Sequence, residues 1–118
     1  MTDLLDMIAI AEVKAMMKAK FPTMVEYFLE DSESYITSIR EGIAASNAEK
    51  IVSPAHTLKS SAQQMGAIRV SEIAKEMEVL AREQSSSGNN DMQAFAAMLS
   101  KLETAFAETK EAFKQHIA

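Results

Sequence analysis

The chain has 118 residues, 47% hydrophobic and 25% charged, with three Gly, two Pro and no Cys. That is the composition of one folded, helix-rich domain over residues 1–118, and it excludes disulfides, thiolate metal sites and cysteine nucleophiles. The net charge of −5 disfavours DNA or RNA as a partner; no apolar run nears the roughly 20 residues that cross a bilayer, and the start, with Asp3 and Asp6, lacks the basic residues of a signal peptide, so a cytoplasmic protein without membrane contact is expected.

Helical periodicity recurs along the chain, while the alternation of a half-buried strand is absent, so an all-α fold is expected. A first short helix is predicted from Ile8 to Ala19. Pro22 either ends it or opens the next one, and Thr23 with Glu26 has the spacing of a capping box. The second helix carries Val25, Phe28, Leu29, Tyr35, Ile36, Ile39 and Ile43 on one broad face, with Gly42 inside it at a small cost.

Ser46 and Asn47 read as a break and N-cap. Beyond them Ile51, Ala55, Leu58, Ala62 and Met65 form the inward stripe of a third helix, which Gly66 closes. Pro54 lies within that helix and deletes a backbone hydrogen bond, which predicts a kink or a later start, with His56 close to an irregular turn. Val70, Ile73, Met77, Leu80 and Ala81 form the apolar side of a fourth helix, and the short connection makes the two antiparallel neighbours.

Gln84 to Asn90 reads as a linker, with Asn90 and Gln93 capping a last helix through Met92, Phe95, Leu99, Leu102, Phe106 and Phe113. His116 is expected in solvent, where it favours the helix dipole. Nine Met and five Phe are available to fill the core. The expected architecture is an antiparallel up-and-down four-helix bundle, with the short N-terminal helix packed as a lid across one end.

A bundle is a scaffold for many functions, so function must be argued from a site. On a helical wheel the stripe of the third helix centres about 140° away from His56, which places the imidazole in solvent. Val52, Lys59, Ser60 and Gln63 share the outward arc. No second His and no carboxylate stands at i+3 or i+4, so this is not a metal site. An exposed neutral imidazole is a nucleophile toward phosphorus, and an ammonium one turn along can balance the charge of a phosphoryl group. From the His-Lys pair alone, a merely solvated surface is the commoner reading.

The string Ala55-His56-Thr57-Leu58-Lys59-Ser60-Ser61-Ala62-Gln63-Gln64-Met65-Gly66-Ala67 changes that balance. It resembles the signature of histidine-containing phosphotransfer (HPt) domains, the carriers of multistep two-component phosphorelays, whose pattern is roughly A-H-x-L-K-G-S-[AS]-x-x-x-G-A. Looser resemblance extends from about Glu12 to Phe113, including Phe28 to Asp31. The resemblance implies that His56 is the phosphoacceptor and that Lys59 balances the phosphoryl charge. Ser60 departs from the usual Gly, with only minor crowding expected. The resemblance also points to Glu78, twenty-two residues after the histidine, as the group that orients the ring from the following helix. A carboxylate accepting from Nδ1–H would leave Nε2 free to attack. Glu78 and Arg82 also have the spacing of an exposed i,i+4 ion pair, and both readings stand.

The partner implied is a response-regulator receiver domain, with a hybrid sensor kinase as a further source of phosphoryl groups. The divalent cation belongs to the receiver, and this chain is expected to need no cofactor or metal of its own. Ser60, Gln63 and Arg82 are expected to line the site, and Val52, Ser53, Thr57, Gln64, Ser71 and Lys75 to form a modest, exposed docking face with them. No Gly-rich phosphate loop is present, so the chain is read as a phosphocarrier and not as an autokinase. A monomer is expected. The competing readings are a helical interaction module without phosphoryl chemistry and, more remotely, a Met-rich bundle holding a ligand or metal.

Overall fold

A computed structural model describes residues 3–117, with the side chains of residues 116 and 117 left aside. His116 therefore lies, as a side chain, outside the described residues. Helix α1 spans Met7–Met17, a 3-10 turn follows at Lys18–Lys20, and α2 (Phe21–Ala44), α3 (Glu49–Gln64), α4 (Ile68–Ser87) and α5 (Met92–Ala112) complete the fold before a π-helical turn at Phe113–Ile117. There is no strand among the described residues. Helix α3 packs between α2 and α4, and α5 closes the ring against α4 and α2. The fold is the expected antiparallel four-helix bundle with a short additional helix in front.

The apolar stripes meet at the bundle axis. Ile51, Ala55, Leu58, Ala62 and Met65 are buried on the α3 side, Val70, Ala74, Met77 and Ala81 on the α4 side, with Phe28, Ile36 and Ile39 of α2 and Phe95, Leu102 and Phe106 of α5 facing them. All five Phe are buried, whereas Met7 and Met16 are exposed, so the rings and branched chains fill more of the core than the methionines do. Alanines at Ala55, Ala62, Ala74 and Ala81 keep the α3–α4 seam thin, which brings the outward flanks of the two helices within side-chain reach of each other. Gly42 serves the same end on α2, since a Cβ there would lie 2.9 Å from Ile51 Cγ1.

Several local expectations are corrected. Pro22 opens α2, but no side chain caps that helix, so Thr23 and Glu26 form no capping box. The break at Ser46 is present with φ +50°, yet Asn47 does not cap α3 through its side chain. The amide of Ala48 instead donates to Asn90 Oδ1 at 2.9 Å. Asn90 is thus a tie from the α4–α5 loop to the start of α3, and Asp91 caps α5 by accepting from the Gln93 amide at 3.2 Å. Residues Gln84 to Ser87 are helical, and only Gly88, Asn89, Asn90 and Asp91 connect α4 to α5. Their Ser and Gln composition imitates a linker, but buried Ala81 and half-buried Gln84 hold that last turn of α4 on the bundle.

Two features fix the end of the bundle beyond the α3–α4 turn. Gly66 adopts φ +74°, the Ala67 amide donates to Ala62 O at 2.8 Å and the Gly66 amide to Gln63 O at 3.1 Å, a Schellman closure of α3. The segment before α1 then clips onto this turn, with the Asp6 amide donating to Gly66 O at 2.8 Å, the Arg69 amide to Leu4 O at 3.4 Å, and Ile10 buried beside Gly66. Asp6 also caps α1 by accepting from the Ala9 amide. The expected lid is therefore anchored by backbone bonds, and its outer face, with Ile8, is left in solvent.

Candidate functional site

Helix α3 starts at Glu49 and runs through Pro54 without interruption, so His56 stands on regular helix rather than beside an irregular turn. Proline is tolerated there because the helix is held by its buried stripe, and the carbonyl of Lys50 goes without its usual partner near the start of the element. The turn of the wheel that buries Ala55 and Leu58 turns His56 outward, where its side chain is 52% exposed.

Glu78 lies on α4 directly across the seam, and its side chain is only 8% exposed. Three cationic or hydrogen-bonding groups converge on it. Nδ1 of His56 is 2.9 Å from Oε2, and because a carboxylate only accepts, the ring donates through Nδ1–H and leaves Nε2 toward solvent. Arg82, one turn along α4, donates to the same oxygen from Nε at 3.0 Å and from Nη2 at 2.7 Å. Lys59 reaches Oε1 with its ammonium at 2.8 Å. Burial alone would push the Glu78 carboxyl up, but the hydrogen bonds from Lys59, Arg82 and His56 and the charge of Lys59 outweigh it and hold the group at about 2. Glu78 is thus a fixed anion, and the i,i+4 pair with Arg82 that the spacing allowed is formed, but on a buried carboxylate.

This cluster brings together four of the residues singled out in the sequence: His56, Lys59, Glu78 and Arg82. Lys59 does not project freely into solvent; its side chain is 25% exposed and committed to Glu78. Ser60 is half-buried on the same arc, and Gln63 and Gln64 are exposed one turn farther on. Val52 is half-buried against the core, Ser53 is exposed, and the Thr57 hydroxyl donates to Ser53 O at 3.1 Å. Lys75 is exposed on α4.

Ser71 does not belong to an exposed face. It is buried, and its hydroxyl donates to Lys59 O at 2.9 Å, tying α4 to α3 one turn beyond the imidazole. Its small size suits the thin seam, and its position four and seven residues before Lys75 and Glu78 on α4 places it on the α3-facing side. The sequence reading missed Val79, an exposed apolar side chain between Glu78 and Arg82. Its position carries the signal, since Val79 lies off the buried stripe of Val70, Ala74, Met77 and Ala81. A shallow cleft lined by Glu49, Val52, Ser53, Arg82, Ser85 and Ser86 adjoins the cluster on the Arg82 side. Another surface groove, lined by Arg69, Ile73, Glu76, Lys101, Thr104 and Glu108, lies between α4 and α5 and includes none of these residues.

Among the described residues no group of three or more His, Cys, Asp or Glu comes together as a metal site, and no helix is long and apolar enough to cross a membrane. The arrangement offers a half-exposed imidazole whose Nδ1 is bonded to a buried anion that also holds two cations. That is a site for accepting an electron-poor group that carries negative charge.

Comparison with known proteins agrees with this chemistry. The family model of the Hpt domain matches residues 23–111. The crystal structure of histidine-containing phosphotransfer protein B (HptB) from Pseudomonas aeruginosa superposes with a TM-score of 0.88 at 26% sequence identity, over 99% of this chain and 96% of that one. No curated protein matches the sequence significantly.

Proposed function

The chain belongs to the family of Hpt domains, the histidine phosphotransfer proteins of phosphorelays, and from that premise we propose that His56 is its phosphoacceptor, loaded and unloaded by the aspartates of receiver domains. The observation that carries this reading is the bond from His56 Nδ1–H to Glu78, 2.9 Å long, which commits the proton to one nitrogen and leaves the other as the nucleophile.

In the forward step the Nε2 lone pair attacks the phosphorus of an aspartyl phosphate. The P–N bond forms as the P–O bond to the aspartate breaks, and the aspartate leaves as a carboxylate. The ring keeps its Nδ1 proton and becomes a phosphorylated imidazolium, whose new positive charge faces the ionised Glu78. Lys59, one turn along α3 and bonded to the same carboxylate as His56, exchanges Glu78 for the phosphoryl oxygens, with Ser60 and Gln63 lining the approach. The reverse step returns the group to another receiver.

The receiver supplies the divalent cation, and this chain acts as a phosphocarrier in the cytoplasm, as a monomer, with no cofactor and no ATP-dependent autophosphorylation. Val52, Ser53, Thr57, Gln64 and Lys75 flank His56 as the docking face, and Ser71, buried with its hydroxyl on Lys59 O, is not part of it. Response-regulator receivers and the receiver of a hybrid sensor kinase are the partners.

Incubation with a phosphorylated receiver tests this. The wild-type chain gains an acid-labile, base-stable phosphate, and His56→Gln gains none. A receiver complex that forms without any transfer would instead make the chain an interaction module.

A further inference from the structure

Lys59 and Arg82 both bond the Glu78 carboxylate, but not in the same way. Lys59 is alone on Oε1, through one contact of 2.8 Å, whereas Arg82 makes two contacts with Oε2. If Lys59 is to serve the phosphoryl group on His56, it must leave a carboxylate that is almost wholly buried. An anion withdrawn from water and stripped of its only full countercharge is strongly disfavoured, so a lone lysine in this position would be held back by its own partner.

Resting on the assignment of His56 as phosphoacceptor, we propose that Arg82 is a positioning residue which, by keeping Glu78 paired through Oε2, releases Lys59 from Oε1 to follow the phosphoryl group. Arg82 acts through Glu78 and not on the phosphorus. Its guanidinium is suited to this, because a planar fork donating twice to one carboxylate is pre-organised, while an ammonium makes point contacts that exchange readily. Arg82 is itself 59% exposed, so it contributes charge and hydrogen bonds at the rim with little packing. Glu78 stays bonded to His56 and Arg82 through one oxygen while the other oxygen changes partners.

The test is a double-mutant cycle read with phosphoramidate, a small donor that phosphorylates histidine directly and needs no docking partner. Three variants, Arg82→Met, Glu78→Gln and the double substitution, are compared with the wild type for the initial rate of His56 phosphorylation, with His56→Gln as the blank. In the Arg82→Met protein the rate falls on the order of tenfold, the size expected when two charge pairs share one partner. With Glu78→Gln already in place, removing Arg82 changes the rate less than twofold, because a neutral amide no longer detains Lys59. Arg82→Lys recovers part of the wild-type rate.

An Arg82→Met rate equal to the wild type overturns the proposal. So does an equal loss in both backgrounds, which would mean that Arg82 touches the phosphoryl group itself. Should Arg82→Met fold poorly by circular dichroism, Arg82→Gln is measured in its place and is expected to show the same dependence on Glu78. A wild-type chain that takes no phosphoryl group on His56 would instead defeat the underlying assignment, a result separate from either outcome of the cycle.

Discussion

Glu78 Oε2 lies 2.9 Å from His56 Nδ1, on a carboxylate that is buried while the imidazole is not. One helix thus presents the imidazole and the next one bonds its Nδ1 from the dry side. The seam that permits this is lined by alanines, so the site depends on the packing beneath it.

The anionic state of Glu78 makes a prediction about acid stability. Its carboxyl titrates at about 2 in the folded chain against an ordinary value of 4.5, so the unfolded chain binds the proton first. Its contribution to stability is fully present above about pH 4.5 and is lost as the pH falls toward 2. Thermal melts across that window should show wild-type stability falling more steeply than that of Glu78→Gln. Parallel curves would mean that Glu78 is not held ionised by its neighbours.

Removing Lys59 should act on transfer and leave the fold intact. Its side chain is partly exposed and its removal leaves Arg82 and His56 on Glu78. Lys59→Met is expected to slow phosphoryl acceptance roughly a hundredfold, the usual loss for one donor to a developing anion. The helical fold should persist by circular dichroism, and transfer at the wild-type rate would contradict the role given to the ammonium.

The two left-handed glycines should respond differently to alanine. At Gly66 a Cβ would lie 2.7 Å from Ile10 Cγ1 and 3.0 Å from Asp6 O, and φ is +74°, so strain and collision add. At Gly88, with φ +75°, nothing lies within 4 Å. Denaturant titration should give a loss of roughly 3 kcal/mol for Gly66→Ala and about 1 kcal/mol for Gly88→Ala. Equal losses would show that the N-terminal segment does not clip onto the α3–α4 turn.

The cap assignments can be separated in the same way. Asn90→Ala removes the acceptor of the Ala48 amide and Asp91→Ala that of the Gln93 amide, and each should cost about 1 kcal/mol. Asn47→Ala, at the position the sequence favoured, should stay within about 0.5 kcal/mol of wild type. The reverse order would restore the sequence-based cap.

The inward stripes, the helix order and the exposed His56 were legible because each follows from spacing within one helix, where period and burial are tied together. The phosphotransfer string added the functional meaning of His56 and Lys59. What spacing within a helix cannot carry is a bond between helices. The commitment of Lys59 to Glu78, the tie from Asn90 to Ala48 and the burial of Ser71 all join residues from different elements; the first has no sign in either helix alone, and for the other two local composition points elsewhere. Gln84 to Ser87 were misread for the converse reason, since their polar composition suits a loop while tertiary contacts keep them helical.

With Glu78 holding the proton on Nδ1, the phosphoryl group is expected on Nε2 of His56. Phosphorus and nitrogen NMR of the phosphorylated chain, with labelled histidine, reads which ring nitrogen carries it. A single phosphohistidine is expected, substituted at Nε2 of His56 with Nδ1 still protonated. A phosphoryl group on Nδ1, or on any other residue, would contradict it.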